Sequence, residues 1–201
     1  MKIVLIHGIF NTGHVMFWIK RKLEKAGFEC FSPCLWPFDG RKGIEFASED
    51  LKQKIDKRFG TTEQITLIGF SMGGIVARYY LQKLGGSKRT KKFFSIATPH
   101  NGSYWAYFPY PTKGVKQLRP NSEFLNELRK NDYRLKRVNL YSYWTPLDTS
   151  IVPSNSSRWE VAGNKKFFSI LHLTILFNRR MIKEIIQKLN SSGSKVNNDG
   201  K

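Results

Sequence analysis

Cysteine is nearly missing. Cys30 and Cys34 are the only two in 201 residues, which excludes a disulfide framework and any four-cysteine zinc site. Their C-x3-C spacing matches no redox motif, and both read as small apolar residues. Long hydrophobic runs are missing too: none approaches the roughly 18 residues of a spanning helix. Met1–Ile6 carries one lysine and a short apolar run, but His7-Gly8 interrupts it short of a signal-peptide core of about 7–15 residues. The expectation is a cytoplasmic protein. Acid is scarce: 15 Asp and Glu stand against 34 Lys and Arg, leaving a net charge of +19. Such a surface draws polyanions, whether nucleic acid, anionic lipid or acidic glycan, and says nothing about fold. Phosphate-loop signatures are also wanting, with no Gly-Lys-Ser/Thr ending and no G-x-G-x-x-G after the first apolar run. Basic runs such as Lys88–Lys92 have no nucleic-acid motif beside them and read as solvated surface, so no specific nucleic-acid binding is expected.

What is present is enough apolar bulk for a core. Hydrophobic residues make up 40% and aromatics 14%, a globular balance that fits one domain. Ile3–Ile6 is a continuous apolar run, as expected of a strand covered on both faces, and Gln64–Gly69 reads as a second buried strand. Lys91–Ala97 and Arg137–Tyr143 are further strands, with Phe28–Phe31 and Arg158–Val161 as weaker candidates. Helical stripes lie over His14–Ala26, Ile44–Phe59, Ile75–Leu84 and Arg179–Leu189, the first three stopped by Gly27, Gly60 and Gly85. Strand and helix alternating in this way predict an α/β fold, a mostly parallel sheet with helices on both faces. Tyr104–Pro120 is dense in aromatics and proline without either period, and reads as a long, lid-like loop. Ser191–Lys201 has no apolar pattern and is expected to be a disordered tail after a domain over 1–190.

Gly69-Phe70-Ser71-Met72-Gly73 fits G-x-S-x-G between a buried strand and a helix. That context predicts a turn sharp enough to lift a serine off the strand end, with glycines where side chains would collide. The helix beginning after Ser71 points its positive end at any charge that forms there. A serine nucleophile needs a base, and the base needs an orienting carboxylate. On this scaffold the order is serine, acid, histidine. Of four histidines, His7, His14, His100 and His172, only His172 follows a suitable acid. Asp148 lies in the loop straight after the Arg137–Tyr143 strand, where that acid belongs. Its rivals are Asp132, in a charged helical stretch that reads as solvated surface, and Glu160, inside the weak strand candidate. Two backbone N–H groups should hold a developing oxyanion: Met72, after the serine, and Ile9, in the loop after the first strand. His7 is expected to brace that loop.

With these residues assembled, the chain resembles α/β-hydrolases of the lipase and esterase kind, most of all the small bacterial triacylglycerol lipases. The resemblance rests on His7-Gly8-Ile9, Gly69–Gly74, Asp148 with Ile151-Val152, and His172 ahead of the last helix. It also rests on Ala97–Ser103, which is similar to the T-P-H-x-G-S/T stretch of such enzymes and makes His100 a structural residue. One departure is Leu171, where the family usually has glycine before the histidine. The resemblance implies ester hydrolysis through an acyl-enzyme, with no metal or organic cofactor and with a small acyl ester or lipid as substrate. Thioesterase, amidase and acyltransferase chemistry use the same triad, and a non-catalytic module binding anionic membrane or nucleic acid is the alternative outside enzymes. Phe10, Trp105 and Tyr107 are the expected substrate-binding residues, with Phe108 and Tyr110 beside them. The same aromatics followed by Lys113, Lys116 and Arg119 suit peripheral contact with an anionic membrane.

Overall fold

The computed structural model describes residues 1–108 and 110–191, so the expected tail falls, apart from Ser191, outside the described residues. Six strands form one parallel sheet in the order β2-β1-β3-β4-β5-β6. They are β1 (Lys2–Ile6), β2 (Glu29–Phe31), β3 (Ile65–Phe70), β4 (Thr90–Ile96), β5 (Asn139–Trp144) and β6 (Gly163–Lys166). The longer helices are α1 (Phe17–Lys25), α2 (Gly43–Phe59), α3 (Met72–Lys83), α5 (Glu123–Lys130) and α6 (Arg179–Asn190), with a short α4 (Lys113–Gln117) between α3 and α5.

Period-two alternation in the strands builds two cores. Val4, Ile6, Leu67 and Phe93 face α2, α3 and α5. Ile3, Leu5, Ile68 and Phe94 face α1 and α6. Both faces of β1 and β3 are therefore covered, which is why neither strand alternates with polar residues. The chain moves from β1 outward to β2, then returns past β1 to β3. Loops leaving β1 and β3 diverge at that reversal, and a crevice opens at the carboxyl ends of the strands.

Two sequence expectations fail here. Arg158–Val161 is not a strand. Trp159 is buried and its backbone N–H and C=O are both held by the Asn164 side chain, each at 2.8 Å. The sixth strand is instead Gly163–Lys166, whose four exposed residues carry no burial pattern and pair only along β5. Lysines on such an edge resist further strand pairing. Nor is Lys88–Lys92 simply solvated. Arg89 is buried against Asp56 at 2.7 Å and the Glu63 carbonyl. The buried Lys92 Nζ donates to the carbonyls of Lys188, Leu189 and Ser191. A buried cation there satisfies the orphan carbonyls that end α6.

Candidate active site

β3 ends at Phe70 and α3 begins at Met72, so the whole turn is made at Ser71. Its backbone sits at φ 54°, ψ −129°, a strained region for a side-chain-bearing residue. The Ser71 N–H donates to the Ile96 carbonyl at 2.9 Å, which ties the turn to β4. A Cβ on Gly73 would fall 2.3 Å from the His7 carbonyl, so only glycine lets α3 start this close to the loop after β1. On the other side, a Cβ on Gly8 would meet Ser71 Cβ at 2.9 Å.

That loop is braced as expected. His7 Nε2 accepts from the Leu35 N–H at 2.9 Å, and Nδ1 donates to the Gly8 carbonyl at 2.8 Å. Burial pushes the His7 pKa below 6.5, with only partial opposition from the Gly8 bond. The imidazole is thereby kept neutral in the tautomer both bonds require. The Phe10 N–H is taken by the Phe38 carbonyl at 2.8 Å, while the Asn11 side chain holds the Ile9 carbonyl at 2.9 Å. Among the described residues, neither the Ile9 nor the Met72 N–H donates to a backbone carbonyl in a turn or loop.

Asp148 follows β5 by a short loop, and its side chain is 1% exposed. Oδ1 accepts from the Ser150 and Ile151 N–H groups, each at 2.9 Å, which orients the carboxylate. His172 Nδ1 lies 3.0 and 2.9 Å from its two oxygens. The His172 ring leans on Phe70, centroids 4.8 Å apart, beside the serine. Ser71 and His172 line one cavity of about 860 Å³. No hydrogen bond joins their side chains among the described residues, and such contacts commonly tighten only when substrate is bound. Among the described residues no group of three His, Cys, Asp or Glu side chains is placed to hold a metal ion.

The rival acids are engaged or remote. Asp132 is not on a solvated face. It accepts from Arg78 at 3.0 and 3.1 Å, from Gln82 at 2.8 Å and from the Trp159 indole at 3.1 Å. Glu160 is exposed in the turn before β6.

A model of the palmitoyl protein thioesterase family matches residues 3–146. The chain belongs to that family. No curated protein matches it in sequence. Among solved structures it is similar to Aspergillus fumigatus lipase B, with TM-score 0.79 and 15% identity over 96% of this chain and 53% of that one. It therefore spans about half the length of that lipase. It is also similar to the mature Bacillus licheniformis lipase BlEst2, with TM-score 0.73 and 16% identity over 94% of this chain and 91% of the other. At such identities the likeness is one of fold, the α/β-hydrolase fold. The match to the thioesterase family ends before Asp148 and His172, so their pairing rests on geometry alone.

The walls of this thioesterase-family cavity correct one expectation. Phe10, Trp105, Phe108 and Tyr110 line it, but Tyr107 does not. Tyr104–Tyr107 is a 3₁₀ turn, in which residues three apart share a face. Trp105 thus joins Phe108 at 4.7 Å on the cavity side, and Tyr104 joins Tyr107 at 6.5 Å away from it. The Arg119 guanidinium covers Tyr107 at 4.8 Å. Leu171 and Leu173, flanking His172, and Phe70, the second residue of the elbow, are walls that sequence reasoning missed. The available signal was the run of large apolar residues around His172, in a segment with neither helical nor strand period.

Proposed function

We propose that the protein is a serine hydrolase that releases a long apolar acyl chain from ester or thioester linkage. Asp148 holds the His172 imidazole with Nδ1 protonated, leaving Nε2 to take the Ser71 proton as Oγ attacks the acyl carbonyl. The Ile9 and Met72 N–H groups receive the oxyanion, supported by the positive end of α3. Collapse of the tetrahedral intermediate passes the His172 proton to the departing alcohol or thiol and leaves the acyl group on Ser71. Water, deprotonated by His172, then releases the acid and restores the serine.

The observation that carries this reading is His172, held by the buried Asp148 at 2.9 Å, on the wall of the apolar cavity that the strained serine also lines. Support for a long acyl group comes from the cavity's about 860 Å³ and its aromatic and aliphatic walls, a size and lining usual for small-molecule sites. The family match favours a thioester among the substrates. Turnover of a long-chain p-nitrophenyl ester and of the matching acyl thioester should fall about 10^6-fold in Ser71→Ala. A fluorophosphonate should label wild type and not the variant. Unchanged hydrolysis in Ser71→Ala would end the proposal.

A further inference from the structure

Positive charge is gathered at one place beside the cavity. A groove of about 650 Å³ is walled by Lys165, Lys166, Arg179, Arg180 and Lys183, with Glu184 its sole acidic wall. Glu184 is already paired with Lys165 at 2.6 Å. The other four cations have no acidic partner within 4.0 Å among the described residues. Two of them, Arg179 and Arg180, open α6, and its first turn contains no acidic residue. Cations at the positive end of a helix work against its stability, a local conflict of the kind expected at functional sites.

One stretch of chain joins this groove to the Ser71 cavity. Phe168 walls the groove, while Leu171 and Leu173 wall the cavity. Phe168 is 68% exposed, Ile170 75% and Leu171 51%. These side chains are held outward on a pinned backbone. Thr145 Oγ1 accepts from the Ser169 N–H at 3.1 Å and donates to the Ser169 carbonyl at 2.7 Å. The Asn178 amide donates to the Phe168 carbonyl at 3.0 Å. Folding does not require exposed Phe and Ile on so fixed a loop, and contiguous exposed apolar surface marks an interaction site. Lys166 Nζ stands 5.2 Å from the Phe168 ring, cation beside hydrocarbon. By contrast, two cations expected from sequence to meet a membrane are engaged within the protein. Lys113 pairs with Glu45 at 3.4 Å, and Arg119 donates to the Ala106 carbonyl at 3.1 Å while covering Tyr107.

We propose that Phe168–Leu173 and the Lys166/Arg179/Arg180/Lys183 groove together dock the protein on an anionic lipid bilayer, apolar side chains entering the interface and cations meeting headgroup phosphates. A bilayer supplies both chemistries in one plane, whereas a nucleic acid would answer the cations and leave Ile170 in water. Docked this way, the mouth of the cavity opens on the lipid. That consequence rests on the hydrolase reading; the docking itself does not.

Sedimentation of the full chain with vesicles tests it. Binding should be strong to equal parts phosphatidylserine and phosphatidylcholine, weak to phosphatidylcholine alone, and should fade with added salt. The triple variant Lys166→Gln, Arg180→Gln, Lys183→Gln should bind the anionic vesicles about 100-fold less well, from the gain of each cation near such a surface. An equal charge loss at exposed Lys57, Lys130 and Lys136, on elements that pack in the other core, should matter far less. Phe168→Ser with Ile170→Ser should weaken binding with the charge unchanged. Ser71→Ala should bind as wild type, and both groove variants should hydrolyse a soluble short ester normally, so that failure of docking and failure of catalysis are told apart. Equal loss in the two charge triples would overturn the proposal. So would an apolar pair without effect together with groove-dependent binding of a single-stranded oligonucleotide, which would make the groove a nucleic-acid site.

Discussion

Two clusters in this molecule bring a histidine and an aspartate into a buried polar network, and the chain treats them in opposite ways. Around Arg78 the histidine and the aspartate are both engaged, although Arg78 Nε and Gln82 Oε1 are buried without a partner among the described residues. His100 is buried with Nε2 bonded to Ser95 Oγ at 2.9 Å and Nδ1 3.4 Å from the Arg78 guanidinium, and its ring stacks on Trp159 at 4.4 Å. Asp132 takes donors from Arg78, Gln82 and Trp159. Burial lowers the Arg78 pKa to about 10 against the pull of Asp132, so it remains a cation. Around Ser71 one valence is left open. Asp148 is saturated by two backbone donors and His172, but His172 Nε2 has no partner among the described residues and its ring walls the cavity. A histidine engaged at both ring nitrogens and sealed in a core has nothing to offer a substrate. The proposed chemistry uses the cluster in which a histidine nitrogen stays free at a cavity wall.

Exchanging the two carboxylates for amides should separate these roles. Asp148→Asn should lower kcat on a short ester about 10^4-fold through loss of the correct tautomer, with little change in thermal midpoint. Comparable turnover in variant and wild type would move the acid role to Asp132. Asp132→Asn should do the reverse, costing about 3 kcal/mol of stability because Arg78 loses its buried counter-charge, while the folded fraction keeps its turnover. Chemical denaturation beside the same ester assay reads both arms.

Smaller effects sharpen the contrast. Burial holds His100 well below the ordinary 6.5, reinforced by Arg78, and burial likewise lowers His7. Below about pH 6.5 the unfolded chain therefore binds protons that the native state refuses, and stability is lost as pH falls, by up to about 1.4 kcal/mol per pH unit for each histidine. Unfolding free energy measured at about pH 7.5 and about pH 5 should show the loss, and His100→Gln should remove part of the slope. A slope unchanged in that variant would mean His100 is not held neutral. Smallest is the split within the aromatic turn. Trp105→Ala should raise KM for a long-chain substrate about tenfold, and Tyr107→Ala should leave it within about twofold, since only Trp105 faces the cavity.

The elbow and the strands beneath it were legible because their signals are local. β1 and β3 are mostly apolar since both faces are covered, and the glycines of Gly69–Gly74 stand within six residues of one another, although the groups that exclude side chains there include the distant His7 carbonyl and Thr98. β6 was not legible: its residues are exposed, and only pairing with β5 makes them a strand. The partner of Asp132 was equally hidden, because Arg78 stands 54 positions away and reaches it from another element.

By itself, then, the sequence determined the α/β alternation, the two apolar faces of the sheet, the serine at a strand-to-helix turn, and the order serine, aspartate, histidine. All of these are written in spacings of two to four residues or in order along the chain, which backbone geometry converts directly into direction. Tertiary structure alone decided that Asp148 and His172 meet across 24 positions, that Asp132 is sealed under Arg78, that Trp105 faces the cavity while Tyr107 does not, and that five scattered cations share one groove beside Phe168. Those outcomes depend on where strand ends and loop backbones come to lie in space, and no local period encodes that distance.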